Sequence, residues 1–369
     1  MSVATPYIFQ YHISCLYVCS EGAVVPRKTN YLGIDIGNGN VKIAVRDNGG
    51  MRFISRRLPD HMVSEDELVS PGTMAEFLKQ VKAEENIKTK DCILVLAESN
   101  AFFRHVTLPP MSEQELRINL PYEFRDFIEG DPEEWVFDYA VDEIVYETDP
   151  DTGEPTEKVA QMELFAAACR MALVDERAEI LKKAGLRLRV VMPAPMAYTR
   201  LLRHYYEAYP MFANNSTVFV DIGYTNTSVL LFNGDKFQAL RTIDLGCIEI
   251  DQTIAELANV DRHTAATYKF TNFHGVLDQP EVVAIYDRLA LEVNKVVNFY
   301  NFSNPDANIE SMMLLGGGAQ ITQLVENMRE SFDLPVQPVS VMFKSDARTI
   351  DIAPSCALCY AGLLEGEEM

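Results

Sequence analysis

Tyr31-Leu-Gly-Ile-Asp-Ile-Gly-Asn-Gly-Asn-Val-Lys-Ile-Ala-Val45 reads as strand, tight polar turn, strand, and the pattern returns at Thr217-Val-Phe-Val-Asp-Ile-Gly-Tyr-Thr-Asn-Thr-Ser-Val-Leu-Leu-Phe232. In both stretches apolar runs flank aspartate, glycine and asparagine, the residues that tight turns favour. Laying Asp35 over Asp221 aligns Asp-Ile-Gly at one offset of 186 residues, with Asn40 over Asn226 and Lys42 over Ser228. Each copy continues as strands and then helices. The chain is therefore expected to be α/β, a duplicated lobe with a cleft between its halves.

The turns point to the chemistry of that cleft. Small and polar residues at 37–40 and 223–227 let the backbone approach a polyphosphate, and their amides and hydroxyls add donors. In the first copy these are Gly37, Asn38, Gly39 and Asn40; in the second, Gly223, Tyr224, Thr225 and Asn226. Asp35 and Asp221, entering the two turns, are candidates to hold Mg²⁺ through water. Lys42 supplies a point charge for phosphates, which its counterpart Ser228 does not. A third element, Leu314-Leu-Gly-Gly-Gly-Ala-Gln320, sets Gly316, Gly317 and Gly318 between a strand and a helix, where backbone comes close to a flat or sugar-like group.

Composition bounds the rest. A chain of 369 residues that is 48% apolar is long enough for two domains or one two-lobed domain. A formal charge of -22 argues against a nucleic-acid binder, which needs lysine and arginine in bulk. Any phosphate site must then rely on backbone N–H groups, a local lysine and a metal ion. Seven cysteines, scattered at 15, 19, 92, 169, 247, 356 and 359, form no spaced framework and fit a reducing cytoplasm. Cys356-Ala-Leu-Cys359 lies in an apolar helical pattern and is read as buried thiols. No run approaches the roughly 18 apolar residues of a membrane-spanning helix. Residues 1–30 lack a basic start and an uninterrupted apolar core, and are read as a poorly ordered extension.

Along the chain, Tyr31 to Arg56 reads as an antiparallel meander, Thr73 to Val81 as a helix and Cys92 to Ala97 as a buried strand. After the strand Phe102 to Leu108, Ser112-Glu-Gln-Glu115 is a capping box that opens a helix to about Ile128. Strands at Val136 to Tyr146 and Lys158 to Ala168 and a helix at Met171 to Ala184 complete a small α+β insert. The second copy adds a strand at Phe237 to Ile243, helices at Asp251 to Leu257, Arg262 to Phe270 and Glu281 to Phe299, and a strand at Ser311 to Leu315. Helices at Ile321 to Glu330 and Cys356 to Leu364 follow. This gives a first lobe over 31–98 and 186–212, an insert over 99–185 and a second lobe over 213–369, whose final helix packs back on the first lobe.

Two Asp-x-Gly hairpins with a late Leu-Gly-Gly-Gly turn resemble the actin, sugar kinase and heat-shock chaperone superfamily over about residues 31 to 365. The resemblance implies an actin-like (ribonuclease H-like) duplicated two-lobed fold that binds ATP with Mg²⁺. It further implies that Asp244-Leu-Gly-Cys-Ile-Glu-Ile-Asp251 follows the second hairpin as the superfamily's Leu-Gly-Gly segment does, bringing Gly246 to the nucleotide, and that Lys269 faces the adenosine. Within the superfamily the chain is most similar to the PilM family of type IV pilus assembly proteins. The likeness is carried by the insert before the connecting strand, by Glu115-Leu-Arg-Ile-Asn-Leu-Pro-Tyr-Glu-Phe-Arg-Asp-Phe-Ile128 with Trp135-Val-Phe-Asp-Tyr-Ala140, and by Ala353-Pro-Ser-Cys-Ala-Leu-Cys-Tyr-Ala-Gly-Leu-Leu364. It implies a scaffold at the inner face of the cell membrane that docks the cytoplasmic tail of a PilN-like protein, with pilus motor ATPases as further partners. Tyr122, Phe124 and Phe127 are the candidates for a peptide groove between insert and main lobe.

Superfamily members often carry an acid where the lobes connect, whereas Val191-Met-Pro-Ala-Pro-Met-Ala-Tyr198 has none. A general base must reach its water, so the expectation is ATP binding with slow or absent hydrolysis and no assigned catalytic residue. Two alternatives stand beside the scaffold. One is a small-molecule kinase, which needs an aspartate base beside the acceptor hydroxyl. The other is an FtsA-like division protein, against which the acidic ending Leu364-Glu-Gly-Glu-Glu-Met369 argues, because an anionic membrane repels it.

Overall fold

The structure, a computed structural model, describes residues 17–18, 31–47, 49–59, 62–64, 67–68, 70–304, 309–343, 347–348 and 350–368. The extension read over 1–30 lies outside the described residues except for Tyr17–Val18.

Strands β1 (Tyr31–Ile36), β2 (Asn40–Asp47) and β3 (Gly50–Arg57) form the antiparallel meander. Helix α1 (Pro71–Glu84) opens on a proline, whose missing N–H costs nothing in the first turn, and returns the chain to β4 (Asp91–Leu96), parallel to β1. The insert comprises β5 (Phe102–Leu108), α2 (Glu113–Glu123), β6 (Trp135–Thr148) and β7 (Pro155–Arg170). Helix α3 (Met171–Lys183) leads to β8 (Arg187–Pro193), parallel to β4, and α4 (Ala194–Ala208) crosses to the second half.

That half repeats the plan: β9 (Ser216–Ile222), β10 (Thr227–Asn233), β11 (Lys236–Ile243), α5 (Cys247–Ala258), α6 (Arg262–Thr271), α7 (Pro280–Ser303), β12 (Ile309–Leu315), α8 (Thr322–Ser331) and β13 (Val336–Pro338). The chain then adds Ala347–Arg348 to the edge of β3 and ends in α9 (Ala357–Glu368). The first sheet contains β3-β2-β1-β4-β8 and the second runs β11-β10-β9-β12-β13. Order and strand directions match position by position, so the repeated hairpin belongs to a repeated sheet.

A buried cluster containing Phe53, Ile93, Tyr198, Leu202, Phe219, Phe232, Met313 and Tyr360 joins the two sheets through α4 and α9. Helix α9 lies so close to β1 that a Cβ on Gly33 would stand 2.0 Å from the Cys359 carbonyl oxygen. Among the described residues Cys92, Cys169, Cys247, Cys356 and Cys359 are buried thiols in no disulfide, and the Cys359 thiol donates to the Lys42 carbonyl at 3.1 Å.

The insert is a three-stranded sheet, β5-β7-β6, with α2 over one face and Val106, Leu116, Leu120, Phe124, Trp135 and Leu164 between them. The capping box forms as the spacing predicts, Ser112 Oγ accepting from the Glu115 N–H and Glu115 Oε2 accepting from the Ser112 N–H. The helix stops at Glu123 rather than near Ile128. Pro121 removes one backbone donor from its last turn, and Phe124 leaves the helix to bury its ring, 0% exposed, against Phe137. A second departure is α4, which falls on the segment for which the sequence suggests no element. Its residues from Ala194 to Leu202 are buried, Arg200 among them, and a polar face of Arg203, His204 and Glu207 emerges only in its second half.

Candidate functional site

Both turns fold alike. Gly37 N–H donates to the Asn40 carbonyl at 3.1 Å and Gly223 N–H to the Asn226 carbonyl at 2.9 Å, the same bond at equivalent positions. The turns face each other: Asn38 Nδ2 donates to Thr225 Oγ1 at 2.7 Å, and a Cβ on Gly39 would stand 2.7 Å from the Tyr224 ring. Between them opens a cavity of about 1080 Å³, at the large end of the roughly 300–1,000 Å³ usual for small-molecule sites. It lies beyond the carboxyl ends of β1, β4, β9 and β12, where open α/β sheets bind their ligands.

Asp35, Gly37, Asn38, Gly39, Asn40, Lys42, Asp221, Gly223, Tyr224, Thr225, Asn226, Lys269 and Gly317 all line this cavity. Gly246, Gly316 and Gly318 are not among its lining residues. A Cβ on Gly316, at φ +80°, would stand 2.3 Å from Asp221 Oδ1, and one on Gly318 would stand 2.2 Å from Ile222 Cγ2. A Cβ on Gly246 would meet the Tyr224 carbonyl at 2.5 Å, where Ile248 N–H already donates at 2.8 Å. These three glycines let strand, turn and helix pack closely, and Gly317 alone of the triple-glycine run faces the cavity.

The floor carries the charge. Lys42 Nζ pairs with Asp35 Oδ2 at 2.8 Å, directly across the β1–β2 ladder. Burial opposes the ammonium, but Asp35 and Asp221 outweigh it and hold Lys42 above the usual lysine range. Asp221 faces Ser228 in the equivalent register and instead accepts from the Tyr198 hydroxyl at 3.1 Å. Burial and the nearby Asp35 raise its carboxyl above the ordinary aspartate value, with Lys42 pulling the other way. Glu98, just past the end of β4, completes the floor. Burial first, then Asp221 and Asp35, push its carboxyl up to about 8, and its Oε1 is buried with no hydrogen-bond partner among the described residues.

At the wall, Asp251 is fully buried and faces Lys269 Nζ at 2.5 Å and Arg57 Nη1 at 3.8 Å. Its oxygens have no hydrogen-bond partner among the described residues, so the two cations compensate it by charge. Arg57 comes from β3 and also lies over the Tyr224 ring, 5.9 Å from its centre, so this cluster ties the first half to the second.

Sequence reasoning missed Glu98, Tyr198, Arg57 and Asp251. An acid immediately after the buried run Cys92–Ala97 was a usable signal for Glu98. No local pattern marks the other three, because their partners are supplied by distant strands and helices. Of the peptide-groove candidates, Tyr122 and Phe127 are 61% and 48% exposed, whereas Phe124 is core and unavailable to a partner. Phe127 lies beside Phe102, which also packs on Trp135, and beneath the Arg104 guanidinium, so an aromatic surface does exist on the insert.

The family model described as "Type IV pilus assembly protein PilM" matches residues 33–349. Among solved structures, the chain is similar to the "PilM-PilN type IV pilus biogenesis complex" at 23% identity, over 93% of this chain and 100% of that chain, with a TM-score of 0.74. It is also similar to the ethanolamine utilization protein EutJ from Carboxydothermus hydrogenoformans at 15% identity, over 91% of this chain and 89% of that one, with a TM-score of 0.55. At these identities the two structural likenesses speak for the fold, which is that of the actin-like group. No curated protein matches.

Proposed function

The chain belongs to the type IV pilus assembly protein PilM family, and from that premise we propose that it is an ATP-binding scaffold of a type IV pilus machine, docking the cytoplasmic tail of a PilN-like membrane protein. The observation that carries the reading is the extent of the family match, which takes in both hairpins, the insert and the cavity. A solved structure of similar fold is itself a PilM–PilN complex, which supports a membrane-protein tail as the partner.

In this reading the phosphates of ATP lie between Gly37–Asn40 and Gly223–Asn226, with Lys42 beside them and the adenosine toward Lys269. The backbone N–H groups and one ammonium then oppose the acidity of the chain. The donor set suits Mg²⁺: Asp35 and Asp221 present hard carboxylate oxygens from the two jaws, and Asp221 has no lysine across its ladder. Among the described residues no group of three or more His, Cys, Asp or Glu could hold a metal by itself, so most of the shell would come from water and phosphate. Bound there, the ion would neutralise phosphate charge beside these carboxylates.

No helix among the described residues is long and apolar enough to cross a membrane. Attachment through the tail would hold the protein at the cytoplasmic face of the membrane. Tyr122 and Phe127 are the proposed tail contacts, being exposed aromatics on the insert. The family match does not favour a small-molecule kinase or an FtsA-like division protein.

The test is anisotropy of a labelled PilN-like tail peptide titrated with the full chain. Phe127→Ala is expected to weaken binding tenfold or more, about 1.4 kcal/mol, without changing the melting temperature of the protein. Unchanged affinity in both Phe127→Ala and Tyr122→Ala would remove this face from the reading.

A further inference from the structure

Three acids face the cavity floor, and their surroundings give them different chemistry. Asp35 is committed to Lys42, 2.8 Å away. Asp221 receives the Tyr198 hydroxyl at 3.1 Å, and Tyr198 is itself fully buried under Phe219 and Phe232. Glu98 differs from both: its Oε1 is buried, lines no ladder, and accepts from no donor among the described residues.

Its place in the chain explains this. Strand β4 is central in the first sheet and buried, and it ends at Leu96, so Ala97 and Glu98 emerge at the carboxyl end beside Asp35 and opposite Asp221. A short 3₁₀ turn over Glu98–Asn100 then carries the chain away to the insert. A central strand is a rigid mount, as a group that must reach a reacting atom requires. A buried polar atom left without a partner is costly, and because Glu98 lines the cavity its carboxyl is within reach of a bound ligand or its water.

Resting on the nucleotide-binding reading above, we propose that Glu98 is the general base for hydrolysis of ATP in this cavity. Its carboxylate takes a proton from a water as the water oxygen bonds to the γ-phosphorus. The bond from that phosphorus to the β–γ bridging oxygen breaks, its electron pair leaves on ADP, and inorganic phosphate is the other product. Asp35 and Asp221 each have one carboxylate oxygen engaged, by Lys42 and by the Tyr198 hydroxyl, and are the pair assigned above to the metal ion, while Lys42 is a cation with no lone pair to offer. The segment that connects the halves holds no acid, so the base comes from just past the end of β4, the strand next to β8.

The experiment compares wild type, Glu98→Gln and Asp221→Ala as full-length chains. Phosphate release is followed in single turnovers with Mg-ATP, and affinity for a non-hydrolysable ATP analogue is measured separately. Glu98→Gln, of nearly the same shape, is expected to lose phosphate release by about 10²-fold or more while its analogue affinity stays within threefold of wild type. Glu98→Asp, which keeps the base but draws it back, is expected to fall between the two. Equal phosphate release by wild type and Glu98→Gln overturns the assignment, and so does a wild type that binds the analogue but releases no phosphate above background. If wild type does not bind the analogue, the nucleotide-binding reading fails first and takes the assignment with it.

Discussion

The two hairpins share a backbone and differ in what neutralises their aspartates. In the first, Asp35 faces Lys42 across the ladder and the charge is settled inside the hairpin. In the second, Asp221 faces Ser228 and borrows a hydroxyl from Tyr198 on α4 instead. The same asymmetry runs deeper: Gly33 in β1 admits α9 at close range, while its equivalent Phe219 in β9 packs on Tyr198. Duplication therefore copied a scaffold, and the copies were then given different electrostatic duties. The first hairpin is complete by itself, whereas the second depends on the connecting helix and on whatever enters the cavity.

Breaking the first hairpin should have the largest effect. Lys42→Ser gives it the residue of the second and leaves Asp35, 5% exposed, without its ammonium. Removing one partner of a buried pair costs about 3–5 kcal/mol, so the urea midpoint should fall by that equivalent, and Lys42→Met with Asp35→Leu should recover much of it. An unshifted midpoint in Lys42→Ser would mean that Asp35 is satisfied by something other than Lys42.

The second hairpin should respond in the opposite sense, and with pH. The native state holds protons on Asp221 and Glu98 at pH values where the unfolded chain has released them, since burial raises both carboxyls, with Asp35 adding to the rise at Asp221 and Asp221 and Asp35 adding to it at Glu98. The unfolded state then binds fewer protons, and stability falls as pH climbs from the ordinary carboxylate range to about 8. Asp221→Asn removes one titrating partner, so its melting temperature should exceed that of wild type at pH 8 and converge with it near pH 4. Asp35→Asn should instead lower the melting temperature at pH 8, because it strands Lys42. Parallel pH profiles for Asp221→Asn and wild type would show that the second aspartate is not held against its charge.

The smallest effect is expected where the hairpins touch. Asn38 and Thr225 share an exposed hydrogen bond across the cavity mouth, worth about 0.5–1 kcal/mol. A double-mutant cycle with Asn38→Ala and Thr225→Val should return a coupling energy of that size in the nucleotide-free protein. A coupling of zero would separate the two hairpins energetically.

Much of this molecule was legible in the residues. The paired Asp-Ile-Gly turns announced both hairpins, and the apolar runs and capping signals around them located β4, β12 and the helix opening at Ser112, though not the short edge strand β13. Such features depend on neighbours within a few positions. Helix α4 does carry a helical pattern, with Tyr198, Leu201, Leu202 and Tyr205 opposite Arg200, Arg203, His204 and Glu207, but Pro193 and Pro195 at its start read locally as a break. Tyr122, Phe124 and Phe127 look alike in the sequence, and only the turn after Pro121 buries Phe124 while its two neighbours stay exposed.

The sequence by itself determined that the chain is a duplicated α/β protein, that two glycine-containing turns with aspartates at their entries are its chemical features, and that only one of them carries a lysine. These follow from local chemistry and from a comparison of the chain with itself. Tertiary structure alone decided that the turns touch, that Tyr198 settles Asp221, that Arg57 reaches Asp251 from the other half, and that Glu98 lines the same cavity as the two aspartates. Each of those statements joins residues 23 to 194 positions apart. The strength of such a contact depends on distance and burial, and neither is written in the order of the residues.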